Sequence, residues 1–236
     1  MRTTFARQVA PRRGARTWWG KAWQRAVEEA TYSEGELRAG RTSARRGEVG
    51  AITVDAGTLL AAVREGDDAW TVEVVVPVLD ADTRSALVDV VAAEAGRIAS
   101  LLAGDLPHDL VEHAEEAGVE LLPYGGELAA TCTCPHYIDP CPHAVATLTQ
   151  AGWLIDTDPL VLFALRGLDR DTLLAHLHTQ RESGLVPAES GSVPSESGLA
   201  TADLADDVEL AVDAALRARR VLELYEAGEE LPEGLM

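Results

Sequence analysis

Lysine is almost missing from this chain of 236 residues. Lys21 is the single one, and arginine carries the rest of the positive charge. Phenylalanine and methionine occur twice each, yet 47% of the residues are apolar, so aliphatic side chains must build most of the core. The length suffices for one large domain or two small ones. No apolar run approaches the ~20 residues that a membrane helix needs, so no membrane contact is expected. Residues 1–16 lack the apolar segment of a secretory leader. Cysteine is scarce too. The three present, Cys132, Cys134 and Cys141, crowd into one short segment, whereas a secreted disulfide scaffold would show an even number spread along the chain. These absences predict a cytoplasmic protein whose thiols stay reduced and free to hold metal.

Charge is abundant and unevenly placed. The formal net charge is -19, but residues 1–46 carry eleven basic side chains against four acidic ones, and the remainder carries nine against thirty-five. A uniformly acidic protein is repelled by nucleic acid. A basic arm on an acidic body can either touch phosphate or pair with the chain's own carboxylates, and both readings stand.

Along the chain, residues 17–30 read as an amphipathic helix with Thr17 as N-cap. Trp19 and Trp23 share a face with Ala26 and Val27, a spacing that predicts core; a stacking platform for bases is the alternative. Residues 38–46 are polar and basic and predict a loop. Three strand-like runs follow, from Val49 to Val54, Thr58 to Arg64 and Trp70 to Leu79, separated by short polar turns, which predicts an antiparallel meander. Residues 82–103 predict one helix ended by Gly104, and Pro107 suits the first turn of another that ends near Gly118. A short helix is predicted from Asp158-Pro159 through Leu165, and a further one capped by Asp169. Residues 182–201 are rich in Ser, Gly, Pro and Glu and predict a flexible linker, followed by an amphipathic helix over 202–227.

The segment that carries chemistry is Cys132-Thr-Cys134-Pro-His-Tyr-Ile-Asp-Pro-Cys141-Pro-His143, a C-x-C-x6-C-x-H pattern. Three thiolates and an imidazole complete a tetrahedral zinc ion, leaving no position for an activated water, so the site is expected to be structural. Pro142 suits the first turn of a helix from Pro142 to Ala151, which Gly152 can end. Cys141 then lies at the positive end of that helix, which favours its thiolate. Residues Leu128 to Thr133 are strand-like, and Cys132 and Cys134 are expected on a kink or turn that Pro135 enforces. His136 is a rival ligand to His143. A nucleophilic Cys–His pair would need an orienting acid and an oxyanion hole, and a zinc deaminase would need H-x-E before P-C-x-x-C; neither is present in the sequence. His108 and His113 predict solvated surface, and His176 and His178 are wrongly spaced for a shared helix face.

This pattern resembles the SWIM zinc finger, whose signature is C-x-C, a variable gap, then C-x-H. Thr17-Trp18-Trp19-Gly20 with Ala22-Trp23 is similar to the opening of bacterial proteins of that family. Gly40-Arg41 with Ala44-Arg45 and Gly47 resembles their basic loop before the sheet. Leu101-Leu102-Ala103-Gly104-Asp105-Leu106-Pro107 and Asp158-Pro159 with Leu165-Arg166-Gly167 are similar as well, so the resemblance covers roughly residues 17–180. Two features depart from it: His136 stands where an acidic residue is usual, and Arg64-Glu65-Gly66-Asp67 is more acidic than in relatives. The resemblance implies a module that binds DNA or protein, with bacterial members accompanying Swi/Snf-type helicases, and it implies no catalytic activity.

The expected architecture is α+β, with a small antiparallel sheet, packed helices and a ββα-like zinc finger. It divides into a basic arm with a Trp-rich helix (1–46), the sheet with helices (47–126), the finger with its following helices (127–181), the linker (182–201) and a C-terminal helix (202–236). One structural Zn2+ is expected on Cys132, Cys134, Cys141 and His143. The expected role is recognition alongside a protein partner, a Swi/Snf-type helicase, with no small-molecule substrate and no enzymatic activity. The alternative is direct, non-specific DNA binding through Arg38, Arg41, Arg45 and Arg46, for which no base-reading helix is evident.

Overall fold

The computed structural model describes residues 2–183 apart from residue 13, and shows an α+β arrangement built on one sheet. The predicted linker beyond residue 183 and the predicted C-terminal helix lie outside the described residues. The strands are β1 (Thr3–Phe5), β2 (Val49–Asp55), β3 (Thr58–Glu65), β4 (Asp68–Val75) and β5 (Ala129–Cys132), in the order β1-β2-β3-β4-β5. Each is antiparallel to its neighbours, so the meander is as expected. The two-residue turns contain Gly57 and Gly66, whose φ angles of 73° and 61° belong to the left-handed region that tight hairpins demand. Alternation sets the faces: Leu59, Ala61, Val63, Val72 and Val74 are buried, and Leu60, Glu73 and Val75 point the other way. β4 stops at Val75, short of the expected Leu79, because Pro77 has no N–H for a ladder.

Against the buried face lies α6 (Pro142–Thr157). Eleven of its sixteen residues are buried, which makes it a central helix rather than a surface one. Gln150 donates through Nε2 to the Gly50 carbonyl at 3.1 Å, where the register of β2 slips against β3. The helix runs six residues past its expected end. Gly152 does not terminate it, because the glycine serves packing: a Cβ there would stand 2.8 Å from Cδ1 of Trp23.

Trp23 belongs to α1 (Trp18–Ala30), which packs along α6. Trp19 and Trp23 are 4% and 1% exposed, so they are core and cannot stack on bases. Their indole N–H groups donate to the carbonyls of Ile155 and Leu148, at 2.8 and 3.0 Å. Thr17 caps α1 as expected, accepting from the Gly20 N–H. Asp156, buried near the end of α6, accepts from the backbone N–H groups of Arg16 and Thr17 and from the Thr17 hydroxyl, so one carboxylate satisfies the opening of α1. The N-terminal segment is accordingly tied down twice, here and by β1, rather than standing off as a free arm.

Residues 38–46 form no loop. They are the body of α2 (Glu34–Arg46), capped by the Ser33 hydroxyl, with Glu34 and Glu36 in the first turn, Arg45 and Arg46 in the last, and Gly47 left-handed beyond it. Its polar composition hid a narrow packing stripe of Leu37, Gly40 and Ala44. A Cβ on Gly40 would lie 2.5 Å from Cβ of Val145 and 2.7 Å from the Pro142 carbonyl, so only glycine lets α2 approach α6 this closely.

The single helix expected over 82–103 is two, α3 (Ala81–Ala92) and α4 (Ala95–Leu102), with Glu94 extended between them. Arg97 explains the break. It is 4% exposed, and its guanidinium reaches the Val90 carbonyl, Asp109 and His113, fastening α3 and α4 to α5 (His108–Glu116). Both histidines are exposed, as expected, yet His113 also meets Arg97 and His108 stacks on Trp18 with 4.2 Å between ring centroids. α7 (Leu160–Leu165) and α8 (Arg170–Ser183) follow, the latter started by Asp169, which accepts from the Thr172 N–H. Side chains from the sheet, the helices before it and those after it form one continuous core. Among the described residues, no helix is long and apolar enough to cross a membrane.

Candidate metal centre

Three pieces of chain converge at one end of α6. β5 delivers Cys132, whose neighbour pairs reciprocally with β4: the Thr133 N–H donates to the Thr71 carbonyl, and the Thr71 N–H to the Thr133 hydroxyl, both at 3.0 Å. The chain bends at 133–135, as Pro135 suggested. The bend is not what unites the two sulfurs, since residues i and i+2 of an extended chain already share a face. It turns the chain off the sheet into the loop 135–140, after which Cys141 caps α6 and His143 lies in its first turn, behind Pro142. β4, β5 and α6 thus make a ββα finger whose two strands both belong to the main sheet.

Cys132, Cys134, Cys141 and His143 each place a ligand atom within 4.8 Å of the others. Sγ of Cys134 is 3.7 Å from Sγ of Cys141, and Nδ1 of His143 is 3.9 Å from Sγ of Cys132 and 4.0 Å from Sγ of Cys141. A tetrahedron with zinc–sulfur bonds of about 2.3 Å has sulfur–sulfur edges of about 3.8 Å. The donors are the types zinc takes, and the Cys134–Cys141 edge matches that size. His136 stands apart: its Nδ1 accepts from the Ile138 N–H and its ring stacks on the exposed Tyr137, so His143 is the imidazole of the cluster.

Burial opposes the thiolates that zinc requires. Desolvation pushes the Cys132 thiol up to about 12, with the Cys134 N–H acting in the other direction. Cys141 is also pushed up by burial, against which the Ala144 N–H at the opening of α6 pulls it down. The helix terminus thus favours the Cys141 thiolate as expected, but burial outweighs it. The positive charge of a bound metal is what reverses this balance.

The four candidate phosphate contacts do not form one patch. Arg38 and Arg46 line a groove with Thr42, Ser43, Pro142 and His143, next to Glu48 and Glu65. Arg41 and Arg45 face the other way, toward Trp23, Gln24 and Val27 of α1. Arg41 is ion-paired with Glu28, and that pairing holds the Glu28 carboxyl below its usual value. Sequence reasoning gave Arg97 no role and noted Arg166 only within the Leu165-Arg166-Gly167 resemblance. Arg166 is 3% exposed and donates to the Pro77 carbonyl at 2.7 Å and to the Glu120 carbonyl at 2.5 Å, and no local pattern marks either arginine as buried.

Comparison with known proteins agrees with this geometry. Residues 117–152 match the family model described as SWIM zinc finger, a span that holds all four ligands. The chain is 33% identical over 177 residues to the protein described as uncharacterized protein Rv2102 of Mycobacterium tuberculosis. That alignment takes in 74% of this chain and 63% of the relative's length. No solved structure matches the chain. The chain carries a SWIM zinc finger, and its Cys3His cluster is a site for one structural Zn2+.

Proposed function

We propose that this SWIM zinc finger chain is a recognition protein that works beside a partner protein and is not an enzyme. The observation that carries this reading is the closed ligand set. With three sulfurs and an imidazole around one ion, no coordination position remains for water or substrate, so the metal shapes a surface instead of activating a molecule. Its position supports the same reading: the finger is welded to the sheet through β4 and to the core through α6, which presents the loop 135–140 on a rigid base. The partner we favour is a Swi/Snf-type helicase, the association that the bacterial resemblance suggests. Capture of the native, zinc-loaded chain from its own cells, with partners identified by mass spectrometry, tests this. A helicase recovered with the native chain and lost with Cys134→Ala supports it; recovery unaffected by Cys134→Ala contradicts a role for the finger.

Direct binding to DNA is the second reading, favoured by Arg38, Arg45 and Arg46, which make no ion pair among the described residues of an acidic chain. Because the arginines lie on two faces of α2, charge reversal of Arg38 with Arg46 and of Arg45 alone separates the faces. Binding that weakens steeply with salt and drops with only one of these two changes would place the phosphate track on that face.

A further inference from the structure

We infer that Glu65 is the outer partner of the zinc ligand His143 and fixes which ring nitrogen faces the metal. His143 turns Nδ1 toward the sulfurs, 3.9 Å from Cys132 and 4.0 Å from Cys141. Its other nitrogen, Nε2, lies 3.3 Å from Oε2 of Glu65. An imidazole that offers its lone pair through Nδ1 carries its proton on Nε2, and a carboxylate at that distance is the acceptor the proton needs. Glu65 is itself held. The same Oε2 accepts from the indole N–H of Trp70 at 3.3 Å, and the Trp70 ring stands 6.2 Å from the imidazole.

Glu65 ends β3 and Trp70 lies in β4, so the hairpin between them carries a support for a ligand on a distant helix. Register makes this possible. Thr71 and Thr133 join β4 to the cysteine segment, which brings the Gly66 turn to the mouth of the finger. The Glu65 side chain is 69% exposed while that of His143 is only 10% exposed. Water therefore screens the carboxylate from the thiolates while it still reaches the imidazole. Without Glu65, Nε2 would face the groove of Ser43 and Arg46, which offers no anion in its place apart from Glu48. Glu65 acts through His143 and touches no metal, so it is a positioning residue.

The test uses the full-length zinc-loaded chain with Glu65→Ala, Glu65→Gln and, as a control on the same turn, Asp67→Ala. Zinc affinity is read by competition with a chelator, and the ring nitrogens of His143 by 15N NMR. Glu65→Ala should weaken zinc binding about 10- to 100-fold, Glu65→Gln should fall between it and the native chain, and Asp67→Ala should stay within about twofold. In the native chain the Nε2 proton should exchange slowly with water, and in Glu65→Ala it should be lost from the spectrum. If Glu65→Ala fails to fold, the isosteric Glu65→Gln supplies both readouts. Native zinc affinity with a protected Nε2 proton in the variants overturns the inference, as does an equal loss in Asp67→Ala, which would point to net charge on the turn. Absence of zinc from the native chain would overturn the ligand set itself, and this inference with it.

Discussion

The two ends of α6 do comparable work by different chemistry. At its C-terminal end, Asp156 holds the opening of α1 by accepting from three donors on Arg16 and Thr17, with Trp19 and Trp23 packed alongside. At its N-terminal end, Cys141 and His143 meet Cys132 and Cys134 in a cluster that would share one metal ion. One attachment is complete within the polypeptide. The other brings together buried thiols that are pushed toward their neutral form until a cation arrives. The same helix is therefore anchored by protein contacts alone at one end, and at the other by packing on α2 together with a cluster that needs zinc.

The largest effect that would sharpen this contrast is loss of the metal. Cys134→Ala should abolish stoichiometric zinc binding, a contribution that reaches about 10 kcal/mol or more in small fingers. Hydrogen exchange should then become fast from residue 129 to 143 but stay slow around Trp19, Trp23 and Ile155. Fast exchange at both ends would show that the anchors are one cooperative unit and break the comparison.

Acidification should weaken the zinc end. Uptake of zinc by three protonated thiols expels about three protons, so affinity should fall by up to about a thousandfold per pH unit on the acid side. The metal-free chain has the opposite sensitivity. The folded state keeps its Cys132 proton up to about pH 12 while an unfolded thiol loses its own near 9, so stability should decline as pH rises through that window. Thermal melts with and without chelator across pH measure both limbs. A metal-free chain that gains stability above pH 9 would contradict the direction of the shift.

Asp156→Ala addresses the other end. Removing a buried carboxylate that accepts from two backbone N–H groups and a hydroxyl should cost about 2–4 kcal/mol. Zinc content should remain one per chain. Chemical denaturation and metal analysis together check this, and a loss of zinc with Asp156→Ala would mean that the ends communicate.

Smaller and more diagnostic are the two close glycines. Gly40→Ala and Gly152→Ala each overfill a contact with α6 and should cost about 1–3 kcal/mol, partly offset by better helix propensity. Gly40 meets the Pro142 carbonyl, between two zinc ligands, whereas Gly152 meets Trp23. Zinc should leave Gly40→Ala faster than the native chain and leave Gly152→Ala at the native rate. Equal zinc release from both variants would erase the distinction.

The zinc end was legible in the sequence because metal ligation needs particular side chains at close spacing, and C-x-C with C-x-H supplies both within a dozen residues. The meander was legible for a similar reason, since period-two valines and glycine turns are local signals. Asp156 was not, because nothing near it announces that its carboxylate will meet residues 16 and 17. Glycine misled in both directions: Gly152 read as a helix end and Gly40 as part of a loop, when each marks a place where helices touch. Both errors arise from judging glycine by its backbone freedom when its missing side chain was the decisive property. Arg97 was likewise not legible, because its contacts with Asp109 and His113 come from α5, outside the expected helix.

X-ray absorption at the zinc edge of the native chain reads the ligand set itself. One zinc per chain is expected, with three sulfur scatterers at about 2.3 Å and one nitrogen at about 2.0 Å, unchanged in His136→Ala and short of its nitrogen in His143→Ala. An oxygen in the first shell of the native protein would reveal an open coordination position and contradict the structural role assigned to the metal.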